Sequence, residues 1–243
     1  MAENNKDNKK TQKIKRFLRR EVNRFLNGPR KIQATIIGND HVVESERQKY
    51  CTELRKRNDN HTFTLITNNC IGGVIYHNLG EQFRSPTINL FISGDEYLPF
   101  VKGIREYLSE TTELVEVINS GREYPVGKLH AKDSSLPDIT VYFQHYDSFE
   151  EARNKWHERC KRVNWEDISF IWEFYEGLHN YKHLLEFDSL NIKKKIILHK
   201  EDCSIKNAFV VNEGEVTPGK ILEYEAGGIK RYLDQFDYVE FLN

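Results

Sequence analysis

The sequence predicts an α/β fold: a layered sandwich with a mostly parallel or mixed central sheet, preceded by a basic N-terminal helix. Three observations predict it. Strand-like and helix-like segments alternate through most of the chain. The strand-like runs are short, apolar and β-branched, and turn residues bound them, as in T-F-T-L-I-T at 62–67 before N-N-C-I-G-G at 68–73. The 243 residues contain no internal repeat and no long linker. The simplest organisation is therefore an N-terminal arm over 1–30 and a single α/β domain over 31–243.

Met1 to about Thr11 is polar and charged and buries too little apolar area to offset its ordering entropy, so it reads as disordered. From Lys13 to Asn27, Ile14, Phe17, Leu18, Val22, Phe25 and Leu26 share one face of a 3.6-residue helix, which Gly28-Pro29 ends. Lys31 to Gly38 reads as a strand. Val42 to Arg57 reads as a helix capped by Asn39 or Asp40. Thr62 to Thr67 is a buried strand, and a helix begins at Cys70. Thr87 to Ser93 is another strand, and Asp95 caps a helix from Glu96 to about Leu108.

Leu114 to Ile118 is a short strand. Tyr124-Pro125-Val126-Gly127 reads as turn or edge, because proline cannot donate to a central ladder. Asp138 to Gln144 is a strand leading into His145. Ser148 and Glu151 fit a capping box for a helix to about Arg162. Ile168 to Tyr175 is an aromatic-rich strand, and Tyr181 to about Phe187 a helix. Lys194–His199 and Ala208–Val211 are short strands, Lys220–Tyr224 is a weaker one, and Ile229–Leu242 closes the chain as a helical segment with aromatic anchors.

Hydrophobic residues make up 38% of the chain and charged residues 30%, which fits a water-exposed globular protein. No run approaches the roughly 18 apolar residues of a membrane span, and no signal peptide opens the sequence. The expected location is the cytoplasm. Charge is uneven. Residues 1–31 hold eleven Lys/Arg and three Asp/Glu, a net of +8, which leaves −9 for the rest of a chain of net charge −1. Two readings fit the basic helix at 13–27: docking on the protein's own core with a solvated basic face, or peripheral attachment to an anionic membrane surface at the inner face. No nucleic-acid-binding motif is present.

Cys51, Cys70, Cys160 and Cys203 are widely and irregularly spaced, without a C-x-x-C pair, so they read as free thiols rather than a zinc site or disulfide framework. His179 and His183 have i, i+4 spacing but lack a zincin pattern and read as a solvated helix face. No P-loop, G-x-G-x-x-G or Asp-x-Asp occurs, and Glu213-Gly214-Glu215 is only a loose substitute for the last. No metal or cofactor is implied.

The chemistry is expected at the Cys70 turn, since open α/β sheets bind ligands beyond the carboxyl ends of their strands. Amides freed by Gly72 and Gly73 suit an anion at a helix start. A thiol there is expected to have a lowered pKa. Asn68 and Asn69 add amide donors for a carbonyl, oxyanion or sugar hydroxyl. A thiolate nucleophile wants an imidazole base, and His145, at the end of another strand, is the strongest candidate among nine histidines. Arg84, in F-R-S-P-T, suits a phosphate or carboxylate. His77 reads as surface. Against these stand bland readings: a core thiol, a histidine bonding a neighbour, a surface arginine.

N-N-C-I-G-G, then Y-x-x-L-G at 76–80 and S-P-T-I-N-L-F-I at 85–92, resemble a bacterial family of unknown function whose members often carry the label exopolysaccharide biosynthesis protein. The Tyr124–Gly127 turn, D-I-T-V-Y-F-Q-H-Y, S-F-E-E-A-R-N-K-W and the terminal F-D-Y-V-E-F-L-N agree, so the resemblance spans roughly residues 60 to 243. Asn68, Asn69, Cys70, Gly72, Gly73, His145, Tyr146 and Trp156 match its recurrent residues, whereas Ile71 stands where the family usually has an aromatic. The basic arm lies outside the match. The resemblance implies a cytoplasmic role in cell-surface polysaccharide assembly, with nucleotide sugars, acyl donors or lipid-linked glycans as substrates.

Three functions follow as expectations. The first is a transferase or hydrolase acting on a glycan precursor through Cys70 and His145, with Asn68, Asn69, Gly72, Gly73, Arg84 and Tyr146 binding the substrate. The second is a non-enzymatic sugar- or anion-binding module of a polysaccharide-assembly complex. The third is a metal-independent nucleotide-sugar glycosyltransferase.

Overall fold

In a computed structural model, residues 40–133, 135–175, 180–199, 205–212 and 219–243 are described. The basic helix expected at 13–27, the strand expected at 31–38, His179, Cys203 and Glu213–Glu215 lie outside the described residues. The chain begins with helix α1 (Asp40–Arg57) and strand β1 (Thr64–Thr67), followed by α2 (Ile71–Leu79). Helices α3 (Gly94–Lys102) and α4 (Ile104–Tyr107) come next, then strands β2 (Glu113–Glu116), β3 (Val126–His130) and β4 (Ile139–Tyr142). Helix α5 (Phe149–Cys160), β5 (Ile168–Glu173), α6 (Tyr181–Ser189), β6 (Lys194–His199) and β7 (Ala208–Val210) complete the α/β part. Two 3-10 turns, Lys220–Leu222 and Tyr232–Gln235, and helix α7 (Tyr238–Leu242) close the chain.

β1, β5, β6 and β7 form a four-stranded sheet in that order, parallel throughout. β2, β3 and β4 form a separate antiparallel sheet with β3 in the middle. The parallel sheet is buried on both faces. Ile66, Phe170, Trp172 and Ile197 belong to one apolar cluster, while Leu65, Ile171 and Leu198 belong to another. Successive strand residues alternate between clusters because side chains alternate across the pleat. One cluster takes in α3, α6 and the antiparallel sheet through Tyr97, Phe187 and Val141. The other takes in α1, α2 and the C-terminal turns through Leu54, Ile75, Leu233 and Val239.

Among the described strands β1 lies at the end of the sheet, and irregular chain bonds to it on the side away from β5. The Thr67 N–H donates to Thr87 Oγ1 at 3.1 Å, and the Ile92 N–H donates to the Asn68 carbonyl at 2.9 Å. The Leu65 N–H donates to the Tyr76 hydroxyl at 3.1 Å. Thr87–Ser93 is therefore not the strand its composition suggests. Asn89 adopts a positive φ of 61°, which breaks the extended run, and Phe91 makes only a single bridge, to Tyr142. The segment ties the two sheets together instead.

Three further expectations are corrected. Val126 and Gly127 are not a turn but begin β3, the central strand of the antiparallel sheet, while Pro125 stays just outside it. Gly127 is there for space: a Cβ would lie 2.7 Å from Leu114 Cδ1 and 3.0 Å from the Phe143 and Phe149 rings. Lys220–Tyr224 forms a 3-10 turn, not a strand. At α3 the capping position is Ser93 rather than Asp95, which lies in the first turn. Ser148 caps α5 as expected, its hydroxyl accepting from the Glu151 N–H at 3.2 Å. No described helix is long and apolar enough to cross a membrane.

Candidate functional site

The carboxyl ends of β1 and β5 open into a cavity of about 1030 Å³, at the upper end of the range for small-molecule sites. Asn68, Asn69, Cys70, Gly73, His77 and His145 line it. Cys70 and His145 therefore share one cavity, although they come from different sheets: Cys70 is the residue before α2, and His145 lies in the turn after β4. Among the described strands, Cys70 follows the one at the end of the parallel sheet.

The turn is held by its own side chains. The Asn68 amide pairs with the backbone of Glu173, donating to its carbonyl at 3.1 Å and accepting from its N–H at 2.9 Å. This extends the β1–β5 ladder by one side-chain rung. Asn69 donates to the Glu173 carboxylate, and its Oδ1 accepts from the Ile71 N–H at 3.1 Å. Thr67 Oγ1 accepts from the Gly72 N–H at 3.3 Å and donates to the Asn69 carbonyl at 2.6 Å. The Tyr175 hydroxyl donates to the other Glu173 oxygen and accepts from the Gly219 N–H at 2.9 Å.

This geometry leaves fewer amides for an anion cradle than the sequence suggests. The Ile71 and Gly72 amides at the start of α2 are already bonded to Asn69 and Thr67. Gly72 is needed because a Cβ would lie 3.0 Å from Thr67 Oγ1. At Gly73 a Cβ would meet Asn89 Oδ1 at 3.2 Å, so that glycine makes room for the Asn89 side chain.

The expectation of an activated thiol is overturned. Burial, and then the nearby Glu173 carboxylate, push the Cys70 thiol up to about 12. The thiol touches the cavity yet has protein on almost every side. Its polar contact is the Leu90 carbonyl at 3.8 Å. At neutral pH it is a protonated, weakly polar wall group. Cys51, Cys70 and Cys160 are free thiols, as the spacing suggested.

Tyr146 does not reach the cavity. It is buried, its hydroxyl donates to the Ile88 carbonyl at 2.9 Å, and Arg159 Nη1 donates to it at 2.6 Å. It packs the chain after His145 and is not a substrate contact. Arg84 is also absent from the lining. His77, which the sequence placed on the surface, is exposed and lies on the cavity rim.

Four residues of the site escaped the sequence reading. Glu173 is 2% exposed at the end of the apolar run I-S-F-I-W-E, and a carboxylate closing a core strand was the available signal. Tyr175 follows two residues later. Asn89 lines the cavity from its left-handed conformation, which Asn tolerates better than most residues. Arg231 also lines the cavity and carried no sequence signal. Phe91 adds an aromatic face, stacked on Tyr142 with ring centroids 4.3 Å apart. Among the described residues, no group of three His, Cys, Asp or Glu side chains is placed to hold a metal ion.

Two comparisons place the chain among known proteins. A protein of Haemophilus influenzae described as an uncharacterized protein is 32% identical to it over 204 residues, which is 82% of this chain and 94% of that one. The family model described as a domain of unknown function, DUF1919, matches residues 41–243, which takes in β1, the N-N-C-I-G-G turn, both sheets and every cavity-lining residue named above. The chain therefore belongs to the DUF1919 family.

Proposed function

We propose that this protein binds the sugar unit of a glycan precursor in the cavity at the carboxyl edge of the parallel sheet, in the service of cell-surface polysaccharide assembly. The observation that carries the binding half is the lining itself: amides and imidazoles at Asn89, Gln144, His77 and His145 beside the aromatic faces of Phe91 and Phe83. Hydroxyl-rich ligands with apolar ring faces need that mixture of hydrogen-bonding groups and flat surfaces. The assembly half rests on the resemblance carried by N-N-C-I-G-G and the motifs after it. Cys70 acts in this reading as a protonated wall group.

The test is calorimetric titration with methyl glucoside, N-acetylglucosamine and UDP-glucose. Saturable binding of at least one, weakened roughly tenfold by Gln144→Ala or His145→Ala, is expected, a loss of about 1.4 kcal/mol. Absence of binding by all three up to roughly 10 mM, about 2.7 kcal/mol of affinity, overturns the reading.

A transferase or hydrolase is favoured by one observation, the shared cavity of Cys70 and His145. The raised thiol pKa limits its form: His145 moves the proton and Cys70 stays protonated. Loss of turnover in His145→Ala with turnover kept in Cys70→Ala is the expected pattern, and the reverse pattern removes this form of the mechanism. Peripheral attachment through residues 13–27 belongs to the same proposal. Flotation with anionic vesicles that is unchanged by deleting 1–31 sinks that part alone.

A further inference from the structure

On the same cavity as Cys70, a cluster of charge is held out of water. Arg231 lines the cavity, while Arg47 and Asp234 lie behind it. Asp234 is fully buried and its carboxylate is occupied: Arg47 Nη1 donates to it at 2.5 Å, the Arg231 backbone N–H at 2.7 Å and the Tyr238 hydroxyl at 3.1 Å. The Arg231 guanidinium takes none of that carboxylate. Its Nη1 donates to the Leu222 carbonyl, its Nη2 reaches the Tyr224 hydroxyl at 3.4 Å, and it stacks on the Tyr224 ring at 4.4 Å. Its Nε–H is buried with no hydrogen-bond partner.

Two guanidiniums against one carboxylate leave the cluster with an excess of one positive charge. Burying a cation without a counter-ion costs several kcal/mol, and burial accordingly pulls the Arg231 pKa below its ordinary value, with Arg47 adding to the effect. The carboxylates on the lining do not answer this charge. Glu223 pairs with Lys220 at 2.7 Å, and Asp95 lies 3.6 Å from His183. A planar guanidinium on a cavity lining, held by stacking and by a carbonyl and without a carboxylate of its own among the described residues, is the arrangement that recognises an oxyanion.

We propose that Arg231 is the anion-binding residue of this cavity and that it receives a phosphate group of the ligand, so that the precursor bound here is a phosphorylated, activated sugar. This rests on the sugar-binding reading above for the sugar half alone; the anion site stands on the Arg231 cluster. Arg231 thereby takes the place that the sequence gave to Arg84. A nucleoside diphosphate sugar and a lipid-linked sugar diphosphate offer the same group, so both are tried.

The experiment follows the Arg Nε–H signals of the full chain by ¹⁵N NMR while pyrophosphate, UDP-glucose, a short-chain polyprenyl diphosphate sugar and neutral methyl glucoside are added in turn. Arg231→Lys assigns the Arg231 signal. The expected result is a saturable shift of that signal with pyrophosphate and with at least one diphosphate sugar, and affinity for the latter at least tenfold above that for methyl glucoside. Arg231→Gln is expected to remove the tenfold advantage and leave methyl glucoside binding unchanged. If Arg231→Gln does not fold, the salt dependence of wild-type affinity replaces it, expected to be steep for the diphosphate sugars and flat for methyl glucoside. An Arg231 signal unmoved by pyrophosphate and by both diphosphate sugars overturns the proposal. Methyl glucoside binding without a diphosphate advantage overturns it while leaving the sugar reading intact. Pyrophosphate binding without binding of any sugar keeps the anion site and removes the sugar reading.

Discussion

On the motif side of the cavity, Thr67, Asn68 and Asn69 direct their side chains at their own backbone and at Glu173. Elsewhere on the lining, Asn89 and Gln144 make no side-chain hydrogen bond among the described residues, and Arg231 keeps one buried N–H unmet among them. The more conspicuous stretch of sequence is thus the more self-contained one. The difference teaches that a dense polar motif at a strand end can build a wall rather than contact a ligand. The proposed recognition therefore rests on Asn89, Gln144 and Arg231, which keep polar groups unmet among the described residues.

The comparison breaks first at Asn68. Asn68→Ala removes both side-chain bonds to the buried backbone of Glu173. The expected loss is about 2–4 kcal/mol of unfolding free energy, read from urea denaturation. A loss below about 1 kcal/mol would mean that the wall does not depend on this rung. Gly72→Ala comes next. Its Cβ must displace Thr67 Oγ1 from 3.0 Å, and overpacking of this kind costs about 1–3 kcal/mol. Gly72→Ala with wild-type stability would show that the turn has slack.

How far the lining was legible follows from the range of the forces that make it. β5 and β6 read directly from sequence because a strand buried on both faces must be continuously apolar. The position of Cys70 between a strand and a helix read directly too, since Gly72 and Gly73 mark the break in pattern. The thiol's electrostatics did not: Glu173, which helps to raise its pKa, stands on β5, and its bond to Asn69 joins residues 104 apart in sequence. Thr87–Ser93 misled because its β-branched composition fits a strand while the positive φ of Asn89 forbids one. Val126–Gly127 misled in the opposite sense, because proline and glycine mark turns in sequence but here Gly127 only makes room for Leu114 and two phenylalanine rings. Arg231 was invisible because an arginine becomes informative only when its burial and its missing counter-ion are seen together.

Cys70 gives a gentler probe of the motif wall. A thiol pushed up to about 12 has roughly one part in ten thousand as thiolate at pH 8, so iodoacetamide should alkylate it about 10³-fold more slowly than a free cysteine. The same shift fixes a sign for stability. The folded state keeps this proton after the unfolded state has lost it, so stability falls as pH rises from the unfolded value of about 8.5 toward 12. Cys160, also pushed up to about 12 by burial, acts in the same direction. Cys70→Ala should therefore flatten the alkaline fall by up to about 1.4 kcal/mol per pH unit. Its cost at neutral pH should be only about 1 kcal/mol. Rapid alkylation at pH 7 would show the thiol to be activated and return the motif to a nucleophilic role.

The smallest expected change in stability belongs to Gln144 and Asn89, and there the comparison is sharpest. Gln144 is exposed in the turn after β4, so Gln144→Ala should alter unfolding free energy by less than about 0.5 kcal/mol. Asn89→Gly removes only the amide at a φ of 61° that glycine adopts without strain, so it should cost little. If these residues form the recognition surface, each change weakens sugar binding roughly tenfold, and the pair together by more than either alone. Neutral stability with unchanged affinity in both variants would mean that the unused polar groups are ordinary surface. Recognition would then have to be sought within the Asn69–Glu173–Tyr175 network, where stability and binding cannot be separated by single substitutions.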